Sequence, residues 1–154
     1  MQWLSSKVEI INAEGDKKVV FFDTWNAHSF YFYDAAGNIA ECIVRHDLKN
    51  HADKPFNITS FLCVNEIGLA TDDIYKMNKQ LEAFFGTRLW KGDQERFAAN
   101  GSQEGLFLLP NYLVKEIWFP SDVAVQPNPL AGIIDNRGKY YHFQFTDGEL
   151  KTFE

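Results

Sequence analysis

The sequence predicts an α+β fold dominated by sheet, with a single full helix and its strands in a βαβββ rhythm. Three observations predict it. Residues 29–45 read as two apolar strands around a glycine-containing turn, and residues 71–86 carry an apolar stripe at helical spacing that ends on a glycine. Residues 131–153 then alternate strand and turn chemistry to the end of the chain. A chain of 154 residues with 45% hydrophobic and 16% aromatic residues has the material for a buried core.

Met1 to Ser6 reads as the last turn and a half of a helix, with Trp3 and Leu4 as its apolar contacts. A strand, Val8 to Ile11, is expected directly after it. The polar stretch Ala13 to Lys17 is a turn, and Val19 to Phe22 is a second strand, rich in β-branched and aromatic side chains. Ser29-Phe30-Tyr31-Phe32-Tyr33 and Ile39 to Arg45 form the two arms of a hairpin. Between them Asp34 to Asn38 turns the chain, with Gly37 and Asn38 expected to take positive φ. His46 to Asn57 is polar and carries Pro55, which sets a linker at 48–57.

Ile58 to Ala70 is expected to be a strand, with Phe61-Leu62-Cys63-Val64 as its buried stretch. A helix follows, capped by Thr71 or Asp72. Ile74, Met77, Leu81, Phe84 and Phe85 recur at steps of three and four along it, and Gly86 sits where a C′ glycine belongs. Short strands are expected at 87–90, 95–99, 105–109 and 115–119, and a proline-rich loop at 120–129. A three-stranded meander closes the chain, turning at Asn136-Arg137-Gly138 and at Asp147-Gly148.

Composition excludes several functions. A net charge of −6 with no basic cluster argues against nucleic acid. No apolar run approaches the ~20 residues a membrane span needs, so a protein that is neither membrane-bound nor secreted, hence cytoplasmic, is expected. Cys42 and Cys63 fall in apolar runs and read as buried free thiols, with a disulfide between them left open. No Gly-x-Ser-x-Gly, phosphate loop, Rossmann fingerprint or zinc-ligand spacing is present.

Two segments carry a family resemblance. Asp34, Gly37, Asn38, Ile39 and Glu41 lie where the closing hairpin of a vicinal-oxygen-chelate module has its Asp-Pro-Asp-Gly-Asn turn and its Glu two residues after an apolar position. Ala35 and Ala36 replace the usual Pro and Asp. Asn65-Glu66-Ile67-Gly68-Leu69-Ala70-Thr71-Asp72-Asp73 resembles the His-Ile-Gly-Leu strand that opens such a module. The chain thus resembles the glyoxalase, bleomycin-resistance and extradiol-dioxygenase group. The resemblance implies βαβββ modules forming a curled mixed sheet, with residues 1–47 the C-terminal part of one module and 58–154 a second module plus the meander. An opening strand is missing from the first. The resemblance therefore implies the C-terminal part of a longer protein. It also implies either a homodimer that completes the sheet, or the terminal meander standing in for the lost strand.

Function is implied in the same way. The family holds a divalent metal such as Zn²⁺, Ni²⁺, Mn²⁺ or Fe²⁺ on the concave face and chelates neighbouring oxygens of a small oxygen-rich metabolite. Glu41 and Glu66 are the candidate metal ligands. Read without the family, Glu41 lies on one face with Ile39 and Ile43, either solvated at a sheet edge or held by a metal, an Arg or a backbone N–H. Glu66 stands where the family has His. The strand expected to supply its partner acid, Gly105 to Leu109, has none, so a metal site built from the second module alone is not expected. His28, Trp25 and Phe32 are the candidate ligand-binding residues, while His46, His51 and His142 read as solvated or laterally hydrogen-bonded. A metal-dependent lyase or dioxygenase, a metal-free binding module and a non-catalytic remnant remain the three readings.

Overall fold

The computed structural model describes residues 1–153. It is α+β, with two α-helices and ten strands in three sheets. The chain divides into two compact units. The first comprises Met1–Cys63 and returns for Trp118–Asp122; the second comprises Val64–Ile117 and the chain from Val123 onward. This boundary lies a few residues later than the expected linker at 48–57.

The first unit opens on the short helix α1, Gln2–Ser5. Strands β1 (Val20–Phe22), β2 (Ala27–Tyr33) and β3 (Ile39–Arg45) form an antiparallel sheet in that order. The hairpin lies where the sequence put it, and its turn is built by one side chain. The Asp34 carboxylate accepts from the Ala36 and Asn38 backbone N–H groups and from the Asn38 amide. Gly37 alone in this turn takes the positive φ, at 84°; Asn38, expected to share it, does not. Of the strand expected at Val8–Ile11, only an isolated bridge between Ile10 and Phe32 exists.

Of the strand expected over 58–70 only Glu66–Gly68 is a strand, and the part before it is corrected. Ile58–Ser60 is a 3₁₀ turn, fixed by Asn57, whose side-chain oxygen accepts from the Thr59 N–H, while Ser60 Oγ accepts from the Asn57 N–H. Such local side-chain bonds draw the backbone out of a ladder. Leu62 and Val64 are 73% and 85% exposed, and Cys63 is exposed as well, so the buried stretch read from their apolarity does not exist. The linker is not loose at its end: Phe56 and Phe61 pack on each other and on Trp3 of α1, with centroids 5.2 to 6.3 Å apart.

The second unit holds the complete βαβββ element. Strand β4 (Glu66–Gly68) leads to α2 (Ile74–Phe85), and β5 (Leu89–Gly92), β6 (Phe97–Ser102) and β7 (Gly105–Pro110) follow. The sheet order is β4-β7-β6-β5, with β4 parallel to β7 and the other pairs antiparallel. The helix carries the chain from one edge of the sheet to the other, and two reversals bring it back beside β4. Gly101 makes the last reversal feasible. Its φ is 127°, and a Cβ there would collide with the Gly105 carbonyl.

The N-cap of α2 is Asp73, one residue past the expected cap, because its carboxylate accepts from the Lys76 N–H at 2.9 Å. Ile74, Met77, Leu81 and Phe85 form the buried stripe; Phe84 points outward, 37% exposed. That stripe meets Leu69, Ala98, Phe107 and Leu109 of the sheet. It also meets Phe143, Phe145 and Leu150 from the terminal strands β8 (Leu130–Asn136), β9 (Lys139–Thr146) and β10 (Glu149–Phe153). These three pair only with one another, in the order β10-β9-β8. Among the described residues the meander therefore adds no strand to the first sheet, which corrects that alternative, and its apolar face covers the α2 core. The strand expected at 115–119 is reduced to an Ile117–Ala124 bridge.

Candidate functional site

Strand pairing decides which candidates can meet. In the first sheet Ala27 faces Arg45, Ser29 faces Ile43, Tyr31 faces Glu41 and Tyr33 faces Ile39. Side chains opposite each other share a face. Val20, Ala27, Ser29, Tyr31 and Arg45 are buried, so this is the inner face of the unit. His28, Phe30 and Phe32 point the other way, opposite Val44, Cys42 and Ala40. Glu41 thus lies on one face of the sheet, and His28 and Phe32 lie on the other.

Glu41 is half-buried, and the partner that makes this tolerable is Tyr31. The phenol O–H donates to Glu41 Oε1 over 2.7 Å. A charge-assisted bond of this kind compensates much of the carboxylate's lost hydration. Tyr31 in turn packs edge-on against Phe119, which also meets Phe22. Trp25 belongs to the 3₁₀ turn Asp23–Trp25, and the Arg45 guanidinium lies 5.3 Å from its ring centroid. Beside them the Ser29 hydroxyl is fully buried, with no hydrogen-bond partner among the described residues. Carboxylate, phenol, guanidinium and hydroxyl are thereby gathered on one otherwise apolar face.

The outer face carries a different cluster. His28 Nδ1 and His46 Nε2 are 2.7 Å apart, and Phe21 packs on both rings. Sequence reading kept His28 and set His46 aside as solvated; it is exposed but engaged. Cys42, half-buried on this face, has its thiol pushed up by burial, which disfavours the nucleophilic thiolate.

In the second unit Glu66 opens β4, half-buried. Its neighbour Ile67 faces Phe107, which belongs to the α2 core, so alternation turns Glu66 to the opposite face from α2, beside Leu106. His142 is exposed on β9, and His51 sits 3.6 Å from Asp53 in the linker.

On the inner face of the first sheet the side chains around Glu41 are Tyr31, Ser29, Tyr33, Ile39 and Ile43, none of them an imidazole or a second carboxylate. Glu66 faces Leu106. Among the described residues no group of three His, Cys, Asp or Glu side chains converges on a point that could hold an ion. Neither unit by itself builds a metal centre from Glu41 or Glu66.

The residues missed in the sequence are Tyr31, Ser29 and Arg45. Their signal was present in the hairpin register. Once Tyr33 is set opposite Ile39 across the Asp34–Asn38 turn, counting two residues back on each arm sets Tyr31 opposite Glu41. Compared with known proteins, the chain matches no family model and no curated sequence. Among the described residues no helix is long and apolar enough to cross a membrane.

Proposed function

We propose that the chain is a glyoxalase-superfamily, vicinal-oxygen-chelate protein that binds a small oxygen-rich metabolite on the Tyr31–Glu41 face. The observation that carries the reading is the β4-α2-β5-β6-β7 element, with its first strand parallel to its last. The three antiparallel strands of the first unit supply the closing part of a second such element. On that part the half-buried Glu41 carboxylate, oriented by the Tyr31 hydroxyl, offers an acceptor to the hydroxyls of such a ligand. A metal-assisted version, with Glu41 as one ligand, is the second reading, and the family pattern at Asp34–Glu41 favours it. It requires donors beyond those Glu41 meets on its own face.

The experiment is thermal-shift and calorimetric titration with vicinal diols, α-hydroxy acids and catechols, before and after chelator treatment. Binding that survives the chelator and is lost in Tyr31→Phe and Glu41→Gln supports the metal-free reading. Stoichiometric metal after metal-replete expression, lost in Glu41→Ala, supports the metal-assisted one. If no such compound binds and no metal that Glu41→Ala removes is retained, the proposal fails. Self-association belongs to the same proposal, because β3 is the outer strand of its sheet. Sedimentation that gives a strict monomer at all concentrations removes that part.

A further inference from the structure

We infer that His28 and His46 form a two-imidazole site for a late first-row divalent cation, on the sheet face opposite Glu41. The two side chains reach this point from different elements. His28 lies on β2, opposite Phe21 of β1. His46 begins the 3₁₀ turn that follows β3 and is held by its backbone N–H donating to the Asn26 carbonyl. The Asn26 side chain also donates to the Asp47 carboxylate over 2.6 Å, which fixes the turn from its other side.

The nitrogens His28 Nδ1 and His46 Nε2 are 2.7 Å apart, with ring planes at 83°. Two nitrogens each ~2.0–2.1 Å from a shared ion, subtending about 90–110° there, lie roughly 2.9–3.4 Å apart. Chelation therefore moves the nitrogens apart by a few tenths of an ångström and turns each ring so that its lone pair leaves the N···N line and points at the ion, which replaces the proton that the two rings share. Phe21 lies 4.8 Å from the His28 ring centroid and 6.4 Å from that of His46. It packs on both rings and keeps them side by side, so part of the ordering cost of chelation is already met in the fold.

Neutral imidazoles select Cu²⁺, Ni²⁺, Zn²⁺ or Co²⁺ over Mg²⁺ and Ca²⁺, which prefer oxygen. Both histidines are exposed, so the remaining coordination positions face solvent and are filled by water or an exchangeable small ligand. The site is independent of the Tyr31–Glu41 reading, since it uses none of those residues and lies on the other face.

The test is calorimetric titration of the chelator-treated chain with Ni²⁺ and Zn²⁺, joined to NMR of the histidine ring resonances. One equivalent should bind, Mg²⁺ should not compete, and Ni²⁺ should broaden the His28 and His46 rings first. His28→Ala and His46→Ala should each weaken binding by about tenfold or more. His51→Ala, His142→Ala and Glu41→Gln should leave it unchanged. Both histidines are exposed, so folding is expected to survive, and far-ultraviolet circular dichroism verifies it. The inference is overturned if the parent chain binds neither ion, or if the His28→Ala/His46→Ala double variant still binds one equivalent. Binding that Glu41→Gln abolishes would overturn it too.

Discussion

The Tyr31 hydroxyl donates to the Glu41 carboxylate across the β2–β3 pair at 2.7 Å, and Tyr31 itself is only 6% exposed. Tyr31→Phe removes the donor while keeping the ring and leaves a half-buried carboxylate short of a partner. A hydrogen bond to a charged group contributes about 1.5–3 kcal/mol, so the unfolding free energy from urea titration should fall by that amount at neutral pH. Glu41→Gln alone should cost less, since an amide oxygen still accepts. In the Tyr31→Phe/Glu41→Gln double variant the two losses should not add. Additive losses would mean that the bond contributes nothing.

The Asn136 amide closes the C-terminal end of α2. It donates to the Phe85 carbonyl at 2.8 Å from a position 51 residues further along the chain. Within the helix end, Gly86 N–H donates to the Glu82 carbonyl and Thr87 Oγ1 to that of Leu81. Asn136→Ala orphans one carbonyl at a part-buried helix end and should cost about 1 kcal/mol. Native-state hydrogen exchange should show faster opening in both the last turn of α2 and the β8–β9 turn, because this bond joins them. Faster exchange in the helix alone would contradict that linkage.

What the sequence revealed divides along physical lines. The α2 stripe, the Asp34–Asn38 hairpin and the terminal meander were legible because each rests on local periodicity and turn chemistry. Phe61-Leu62-Cys63-Val64 misled because apolarity predicts burial only when a neighbouring surface exists to receive it, and Asn57 and Ser60 had already bent the chain. Glu41 was legible as a residue of interest, but its partner lay in the pairing register, which single-strand alternation does not supply. His46 was missed for a related reason: its proximity to His28 depends on a left-handed Asn26 and a 3₁₀ turn, and neither has a strong sequence signature.

Asn78 on α2 and Asn100 on β6 are both buried, joined by one amide bond of 3.0 Å. Asn78 Nδ2 and Asn100 Oδ1 have no partner among the described residues. Replacing one member with Leu leaves the other amide wholly unsatisfied and should cost about 1–3 kcal/mol. Replacing both with Leu, which has the same branched shape as Asn, removes the unmet groups together. The double variant should therefore be more stable than either single one, as measured by thermal unfolding. A double variant less stable than both singles would show that the amide pair is a net contributor to this core.

Acid should weaken the β2–β3 hairpin through Asp34. The Asn38 side chain, then the Asn38 backbone N–H, hold its carboxyl below the ordinary aspartate value; burial opposes them, and the Ala36 and Gly37 N–H groups add to the lowering. A carboxyl whose folded pKa is depressed stabilises the fold fully above its unfolded pKa and loses that contribution as the pH falls through the lower, folded value. The contribution from Asp34 should thus be intact at pH 5 and above, decline below about pH 4, and vanish once the folded carboxyl is protonated. Asp34→Ala should lower stability at pH 7 and have progressively less effect as the pH drops below 4. An Asp34→Ala deficit that stays constant from pH 7 to pH 2 would show that the ionised form is not what holds Ala36 and Asn38 in the turn.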